Sequence, residues 1–132
     1  MKLIGKRYKH EKKTIKNTFG NALEGIEYCF NSEINFKFHL IAAVAVLIGS
    51  YVLELSTMEF VVCLVLIGAV IALELVNTVV EIVVDMVEPR ENPLAKIAKD
   101  AASGAVLVMA MTSAIVGLII FLPKILTFIG VV

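Results

Sequence analysis

The chain has 132 residues, the length of about one domain. Hydrophobic residues make up 59% of it, charged residues make up 18%, and the mean hydropathy is +0.91. A soluble domain averages roughly 45–50% apolar and about 25% charged residues, so this composition excludes an ordinary soluble domain. The net charge is zero, but seven of the twelve basic residues lie in the first sixteen positions. Collagen, disordered-tail and nucleic-acid-binding proteins are excluded by the same pattern.

Residues 1–33 combine a basic tail with a segment of helical periodicity. Lysines and glutamates lie largely opposite an apolar face in this segment. The apolar positions are Ile15, Phe19, Ala22, Leu23, Ile26 and Phe30. This pattern predicts an amphipathic helix at the membrane interface, with the basic tail near anionic lipid. A helix that packs on the cytoplasmic end of a bundle is an alternative, and the two are compatible.

Three apolar stretches follow and predict three transmembrane helices. We expect them at residues 34–55, 57–87 and 100–122, with a polar connection over residues 88–99. The third is the clearest, because residues 101–123 carry no charge and a helix of roughly 20 residues crosses the hydrocarbon core. The chain is therefore predicted to be an all-α membrane protein with a single domain over residues 1–132.

The charges outside the predicted spans indicate an orientation. Eleven of the twelve Lys and Arg residues precede the first span, lie at its entry or fall in the 88–100 region, and Lys124 alone lies at the far end. Basic residues favour the cytoplasmic side. We therefore expect a protein of the cytoplasmic membrane with a cytoplasmic N-terminus, a cytoplasmic 88–99 connection and an external C-terminus. Small residues at four-residue spacing, such as Ala45 and Gly49, allow close helix contacts and predict a homo-oligomer.

The polar residues of the second predicted span lie on one face of the helix. At 100° per residue, an arc of about 80° contains them all. They are Glu74, Asn77, Glu81, Asp85 and Glu88. Ionisable groups at membrane depth usually face a protein interior or an aqueous cleft. The stripe is compatible with a polar seam in an oligomer, a divalent-metal site, an acid–base site or an ion pathway, and its hard oxygen ligands favour Mg²⁺.

The connection after this span supplies basic residues. Pro89 and Pro93 are predicted to end the long helix, and Arg90 and Lys99 are candidate ligands for phosphate oxygens. A solvated run of charges is the alternative. The Ser103 hydroxyl is positioned either to contact a substrate hydroxyl or to bond back to its own helix.

Two residues near the start of the first span have less specific readings. Glu33 is either an acid that favours the dipole of the following helix or a second carboxylate for a metal held by Glu81. His39 is interpreted as a packing or interfacial residue rather than a catalytic one.

The pattern Glu74-x-x-Asn77-Thr78-x-x-Glu81-x-x-x-Asp85, followed by Lys99-Asp100-x-x-Ser103, resembles the prokaryotic diacylglycerol kinase family of small integral-membrane lipid kinases. The resemblance extends from about residue 15 to residue 120. It implies a homotrimer whose active sites form between protomers at the cytoplasmic interface. It also implies transfer of the γ-phosphate of ATP, bound with Mg²⁺, to a lipid alcohol.

The resemblance also implies roles for individual residues. Glu74 matches the general base for the lipid hydroxyl, and Glu33 and Glu81 match the carboxylates that hold Mg²⁺ on the nucleotide. The implied ATP contacts are Asn21, Glu33, Glu81, Arg90, Glu91, Asn92, Lys99 and Asp100. The implied substrate and supporting positions are Ser103, Asn77 and Asp85. The chain has Thr14 and Asn21 where the enteric pattern has an Arg and a Tyr.

The substrate expectation comes from two further segments. Residues 36–40 and 93–100 are similar to the Gram-positive branch of the family, whose members typically prefer undecaprenol. Undecaprenol is thus the expected substrate and diacylglycerol the alternative. A small oligomeric cation or proton transporter is the non-enzymatic alternative, but residues 60–73 offer no polar path toward the outer face.

Overall fold

A computed structural model of the chain describes residues 15–131, and within this range the protein consists of four helices. They are α1 (Ile15–Ser32), α2 (Ile34–Val52), α3 (Thr57–Val87) and α4 (Pro93–Phe128). The predicted all-helical class is confirmed for this part of the chain. The predicted basic tail in residues 1–14 lies outside the described residues.

Three of these helices are long and apolar enough to cross a membrane, as predicted. They are α2 with 19 residues, α3 with 31 and α4 with 36. At 1.5 Å per residue α3 is about 46 Å long, whereas the hydrocarbon core is about 30 Å thick. Helix α3 is therefore longer than the hydrocarbon is thick, and its C-terminal half carries most of its polar residues.

Local chemistry explains where α3 and α4 begin. Ser56 caps α3: the Glu59 backbone N–H donates to Ser56 Oγ at 3.3 Å, and the Ser56 backbone N–H donates to Glu59 Oε2 at 2.7 Å. Asn92 caps α4, where its Oδ1 accepts from the Leu94 N–H at 2.9 Å. Pro93 occupies the first turn of α4, where a missing N–H costs nothing.

The connection between α3 and α4 is shorter than expected. Residues 93–99, which we expected in the polar connection, are helical, so only residues 88–92 link the two helices. The physical reason is that Pro93 begins a helix here as well as following the end of one. The helical start at Pro93 places Lys96, Lys99 and Asp100 on the first turns of α4.

Helix α3 lies at the centre of the bundle. It contacts α1, α2 and α4, and its contact with α4 is the most extensive. Few side chains are fully buried, and most large apolar side chains are exposed in the single chain. The buried set is Cys29, Phe36, Ser50, Cys63, Val70, Glu74, Asn77, Thr78 and Val106. The core of α3 is thus partly polar, and two of its three buried polar residues, Glu74 and Asn77, belong to the predicted stripe.

The Phe121 side chain of α4 reaches α2 near the end of the bundle opposite the α3–α4 connection. A Cβ atom on Gly49 would lie 3.2 Å from Cε1 of Phe121, so the absence of a side chain permits this contact. Gly49, which the sequence analysis assigned to a contact between protomers, therefore contacts Phe121 of the same chain. At the same end, Lys124 Nζ lies 3.2 Å from Glu59 Oε2 and links α4 to α3.

Candidate active site

A buried carboxylate lies in the half of α3 that leads to the α3–α4 connection. The Glu74 side chain is 4% exposed, and its Oε1 lies 3.2 Å from Nε2 of His39 on α2. The neighbouring Thr78 is also buried, and its hydroxyl donates to the Glu74 backbone oxygen at 3.1 Å. Ionisable groups this deep in an apolar helix need a partner, and the imidazole supplies one.

His39 is the residue at this site whose role the sequence analysis missed. We expected a packing or interfacial residue, but the structure places its ring against Glu74. His39 lies one to two turns into α2, whereas Glu74 lies more than three turns before the end of α3. Counting turns along the two helices therefore does not pair these positions.

A second polar group follows one turn further along α3. Asn77 is buried, and its Nδ2 donates to Glu81 Oε1 at 3.1 Å. The Oδ1 atom of Asn77 is buried without a hydrogen-bond partner. Glu33 and Glu81 both lie within electrostatic range of Glu74. The predicted supporting residue Asn77 therefore contacts a predicted metal ligand, Glu81.

Glu33 occupies the N-cap position of α2, but its side chain makes no capping hydrogen bond. The backbone of Glu33 is extended, which separates α1 from α2. Its position at the start of α2 is compatible with a favourable interaction with the helix dipole, and its role as a metal ligand stays a prediction.

A cleft of about 760 Å³ lies beside the α3–α4 connection. Five of the predicted ATP contacts line it, namely Arg90, Glu91, Asn92, Lys99 and Asp100. The predicted supporting residue Asp85 lines it as well. Three other predicted ATP contacts, Asn21, Glu33 and Glu81, do not line this cleft. Asn21 is exposed on α1.

The basic residues of the cleft are each paired with an acid. Lys99 Nζ lies 2.9 Å from Asp85 Oδ1, which joins α4 to α3. Arg90 Nε lies 3.1 Å from Glu88 Oε1, and Lys96 Nζ lies 3.1 Å from Asp100 Oδ2. Exposed pairs of this kind contribute about 0–1 kcal/mol, so phosphate oxygens can replace these acids at little cost.

Ser103 lies one turn beyond Lys99 on an exposed position of α4. Thr112 and Ser113 donate to backbone oxygens of their own helix, at 2.9 and 2.8 Å. Within the described part of the chain, Ser103 makes no such bond, so its hydroxyl is available to a ligand.

An apolar groove of about 320 Å³ lies between α2, α3 and α4. His39 and Ile71 lie at one end of its lining, and Cys63 and Phe121 lie at the other. The remaining lining residues are mostly aliphatic or small. Because His39 also contacts Glu74, the groove reaches the partner of the buried carboxylate.

The available metal donors are oxygen atoms. Among residues 15–131, no three His, Cys, Asp or Glu side chains are grouped closely enough to hold an ion by themselves. A nucleotide-bound Mg²⁺ needs only one or two carboxylates, because phosphates and water complete its shell. The carboxylates of Glu33 and Glu81 and the unpaired Oδ1 of Asn77 are oxygen donors, the type of ligand that Mg²⁺ prefers.

Comparisons with known proteins identify the family of the chain. The family model described as "Prokaryotic diacylglycerol kinase" matches residues 20–121. The undecaprenol kinase of Bacillus subtilis is 46% identical over 119 residues, which are 90% of this chain and 97% of that protein. The diacylglycerol kinase of Synechocystis is 40% identical over 111 residues, which are 83% of this chain and 63% of that protein. The family resemblance is thereby confirmed, and the chain belongs to the prokaryotic diacylglycerol kinase family.

Proposed function

We propose that the protein transfers the γ-phosphate of ATP, with Mg²⁺, to the hydroxyl of undecaprenol. The family consists of lipid kinases, and a relative that matches nearly the whole chain is an undecaprenol kinase. One structural observation carries the proposal: the apolar groove is lined by His39, whose ring contacts the buried Glu74. A lipid alcohol has the matching shape, an apolar chain that ends in one hydroxyl.

Diacylglycerol is the second candidate substrate. The family description and the Synechocystis relative both favour it. An ion-transport function has less support, because the described lining of the groove beyond His39 contains no acidic or basic side chain toward Phe121.

Glu74 is the proposed general base. The hydroxyl proton of the lipid passes to a Glu74 carboxylate oxygen as the hydroxyl oxygen attacks the γ-phosphorus. The bond between the γ-phosphorus and the β–γ bridging oxygen breaks, and ADP leaves with the electron pair. Burial suits this role, because a base inside the protein can accept the proton of a lipid hydroxyl at a place that water does not enter. Ser103, exposed on α4, is proposed to contact the substrate beside it.

The phosphates of ATP are proposed to lie in the cleft beside the α3–α4 connection. Phosphoryl transfer depends mainly on positioning and on neutralising charge, and Lys99 and Arg90 contribute positive charge. Glu91, Asn92 and Asp100 are the further ATP contacts proposed within the cleft, and Asn21 is proposed to approach from α1. Asp85 supports the site by holding Lys99.

Glu33 and Glu81 would hold Mg²⁺, and Asn77 supports Glu81 through the hydrogen bond between them. When bound, Mg²⁺ would neutralise charge on the phosphates. The oxygen character of these donors supports the choice of this ion over a transition metal.

We further propose a homotrimer in the cytoplasmic membrane, with active sites shared between protomers. In the single chain, Asn21, Ser103 and the cleft do not enclose a common space, which supports completion by a second copy. Exposed apolar residues of α1, including Ile15, Phe19 and Leu23, support an interfacial amphipathic helix. The distribution of basic residues supports a cytoplasmic N-terminus and site and an external C-terminus.

Two variants separate the proposed roles of the carboxylates. Lipid phosphorylation from labelled ATP is measured in mixed micelles as Mg²⁺ is titrated. Glu74→Gln should abolish turnover while Mg-ATP binding survives, because only the proton acceptor is lost. Glu81→Gln should instead raise the Mg²⁺ concentration needed for half-maximal rate.

The matched control is Glu24→Gln, which removes an exposed acid of α1 and should leave both properties unchanged. Undiminished turnover in Glu74→Gln would refute its role as the base. An unchanged Mg²⁺ titration in Glu81→Gln would refute its role as a metal ligand.

A further inference from the structure

We propose that His39 is a positioning residue, which donates its Nε2–H to Glu74 Oε1 and leaves Oε2 to take the proton of the lipid hydroxyl. This inference rests on the proposed role of Glu74 as the base. It assigns to His39 a function that is separate from those proposed for the polar stripe of α3 and for the charged α3–α4 connection.

The contact is specific and largely enclosed. The two side chains are 18% and 4% exposed, and Nε2 of His39 lies 3.2 Å from Oε1 of Glu74. In the described part of the chain, His39 is the ion-pair partner of Glu74, and the contact engages one of its two oxygens. The second oxygen is thus left for another partner.

The position of the imidazole is itself held by packing. Phe36 precedes His39 by three residues on α2, so the two side chains lie on one face of the helix. Phe36 is 1% exposed, which anchors that face against the bundle. His39 also lines the apolar groove, so the same ring contacts both the groove and the carboxylate.

Glu74 needs such a partner because its other neighbours repel it. Glu33 and Glu81 act on the Glu74 carboxylate with charge of the same sign. A glutamate has several side-chain rotamers, and repulsion favours those that turn the carboxylate out of the cluster. The donor on His39 selects the rotamer that keeps the carboxylate against the imidazole, which itself lines the groove. A base within hydrogen-bond reach of the substrate proton requires this orientation.

Two substitutions of His39 test the proposal in the full-length protein in mixed micelles. His39→Ala removes the donor, and His39→Gln retains an amide N–H near the position of Nε2. A misplaced reacting group can cost about 10²-fold in rate, so we expect His39→Ala to lower kcat by about 10- to 100-fold. We expect an unchanged KM for Mg-ATP in both variants, and most of the wild-type kcat in His39→Gln.

His10→Ala is the matched control, because His10 and His39 are the two histidines of the chain. It should keep the wild-type kcat. A wild-type kcat in His39→Ala would overturn the proposal. Equal impairment in His39→Gln and His39→Ala would also overturn it, because an amide donor would then not suffice.

A second readout does not depend on turnover. In protein labelled with ¹⁵N-histidine, His10→Ala assigns the imidazole signals of His39. The Nε2–H signal of His39 should shift in Glu74→Gln and stay in place in Glu24→Gln. An Nε2 atom without a proton in the wild type would overturn the proposal.

The two readouts separate this inference from the proposed function. If the wild type phosphorylates lipid and His39→Ala is fully active, the positioning role alone is overturned. Wild type that phosphorylates no lipid overturns the proposed function and the positioning role with it, even if the Nε2–H signal responds to Glu74→Gln.

Discussion

Replacement of Phe36 by Ala tests how the site is held in place. Phe36 is 1% exposed and lies near the start of α2, between Glu33 and His39. Phe38 lies two residues later on the same helix and is 68% exposed. The pair Phe36→Ala and Phe38→Ala therefore compares loss of the same ring from a buried and from an exposed position.

The expected magnitude follows from packing alone. Between membrane helices, lipid is as apolar as the protein interior, so burial of a ring gains no transfer free energy from water. The remaining cost is the cavity, at about 24 cal/mol per Å³ for a space of roughly 100 Å³. Phe36→Ala should thus lower the free energy of unfolding by about 2–3 kcal/mol, and Phe38→Ala by less than about 1 kcal/mol.

The assay is equilibrium unfolding in mixed micelles by added SDS, followed by far-ultraviolet circular dichroism. Folded Phe36→Ala should also have a lower kcat, because the face of α2 that carries His39 loses its anchor. Equal costs for the two substitutions, or a cost below about 0.5 kcal/mol for Phe36→Ala, would refute the reasoning.

Two further predictions concern the cleft and the start of α3. Lys99→Met should raise the KM for Mg-ATP by about tenfold or more, since charge-assisted bonds to phosphate contribute about 1.5–3 kcal/mol. Lys96→Met should have a smaller effect because the Lys96 side chain is 79% exposed, and ATP titrations that give equal effects would contradict this assignment. Ser56→Ala should lower the free energy of unfolding in SDS by about 1 kcal/mol through loss of the helix cap, while a reduced kcat in the folded variant would contradict a purely structural role.

The periodicity and composition of the sequence were sufficient to predict the helices. Long apolar stretches predict spans because each backbone polar group must be satisfied within the helix. The stripe from Glu74 to Asp85 was predictable because 100° per residue places these positions on one face. Structure and comparison agree on the helical class and the family, whereas the roles of the individual site residues remain predictions.

Contacts between helices were not predictable in the same way. Neither α2 nor α3 carries in its own periodicity the register that places His39 against Glu74. The same holds for the pair of Lys99 and Asp85, which depends on how tightly the α3–α4 connection turns. Pro93 illustrates a local ambiguity, because proline both follows helix ends and occupies first turns.

The most direct test of the account is phosphorylation of lipid by the purified protein, with labelled ATP and Mg²⁺ in mixed micelles. Undecaprenol and diacylglycerol are supplied in parallel, and Glu74→Gln serves as the inactive reference. The account predicts faster phosphorylation of undecaprenol by the wild type and no product from Glu74→Gln. Faster phosphorylation of diacylglycerol would contradict the proposed substrate, and absence of product from both lipids with well-folded wild-type protein would contradict the proposed function.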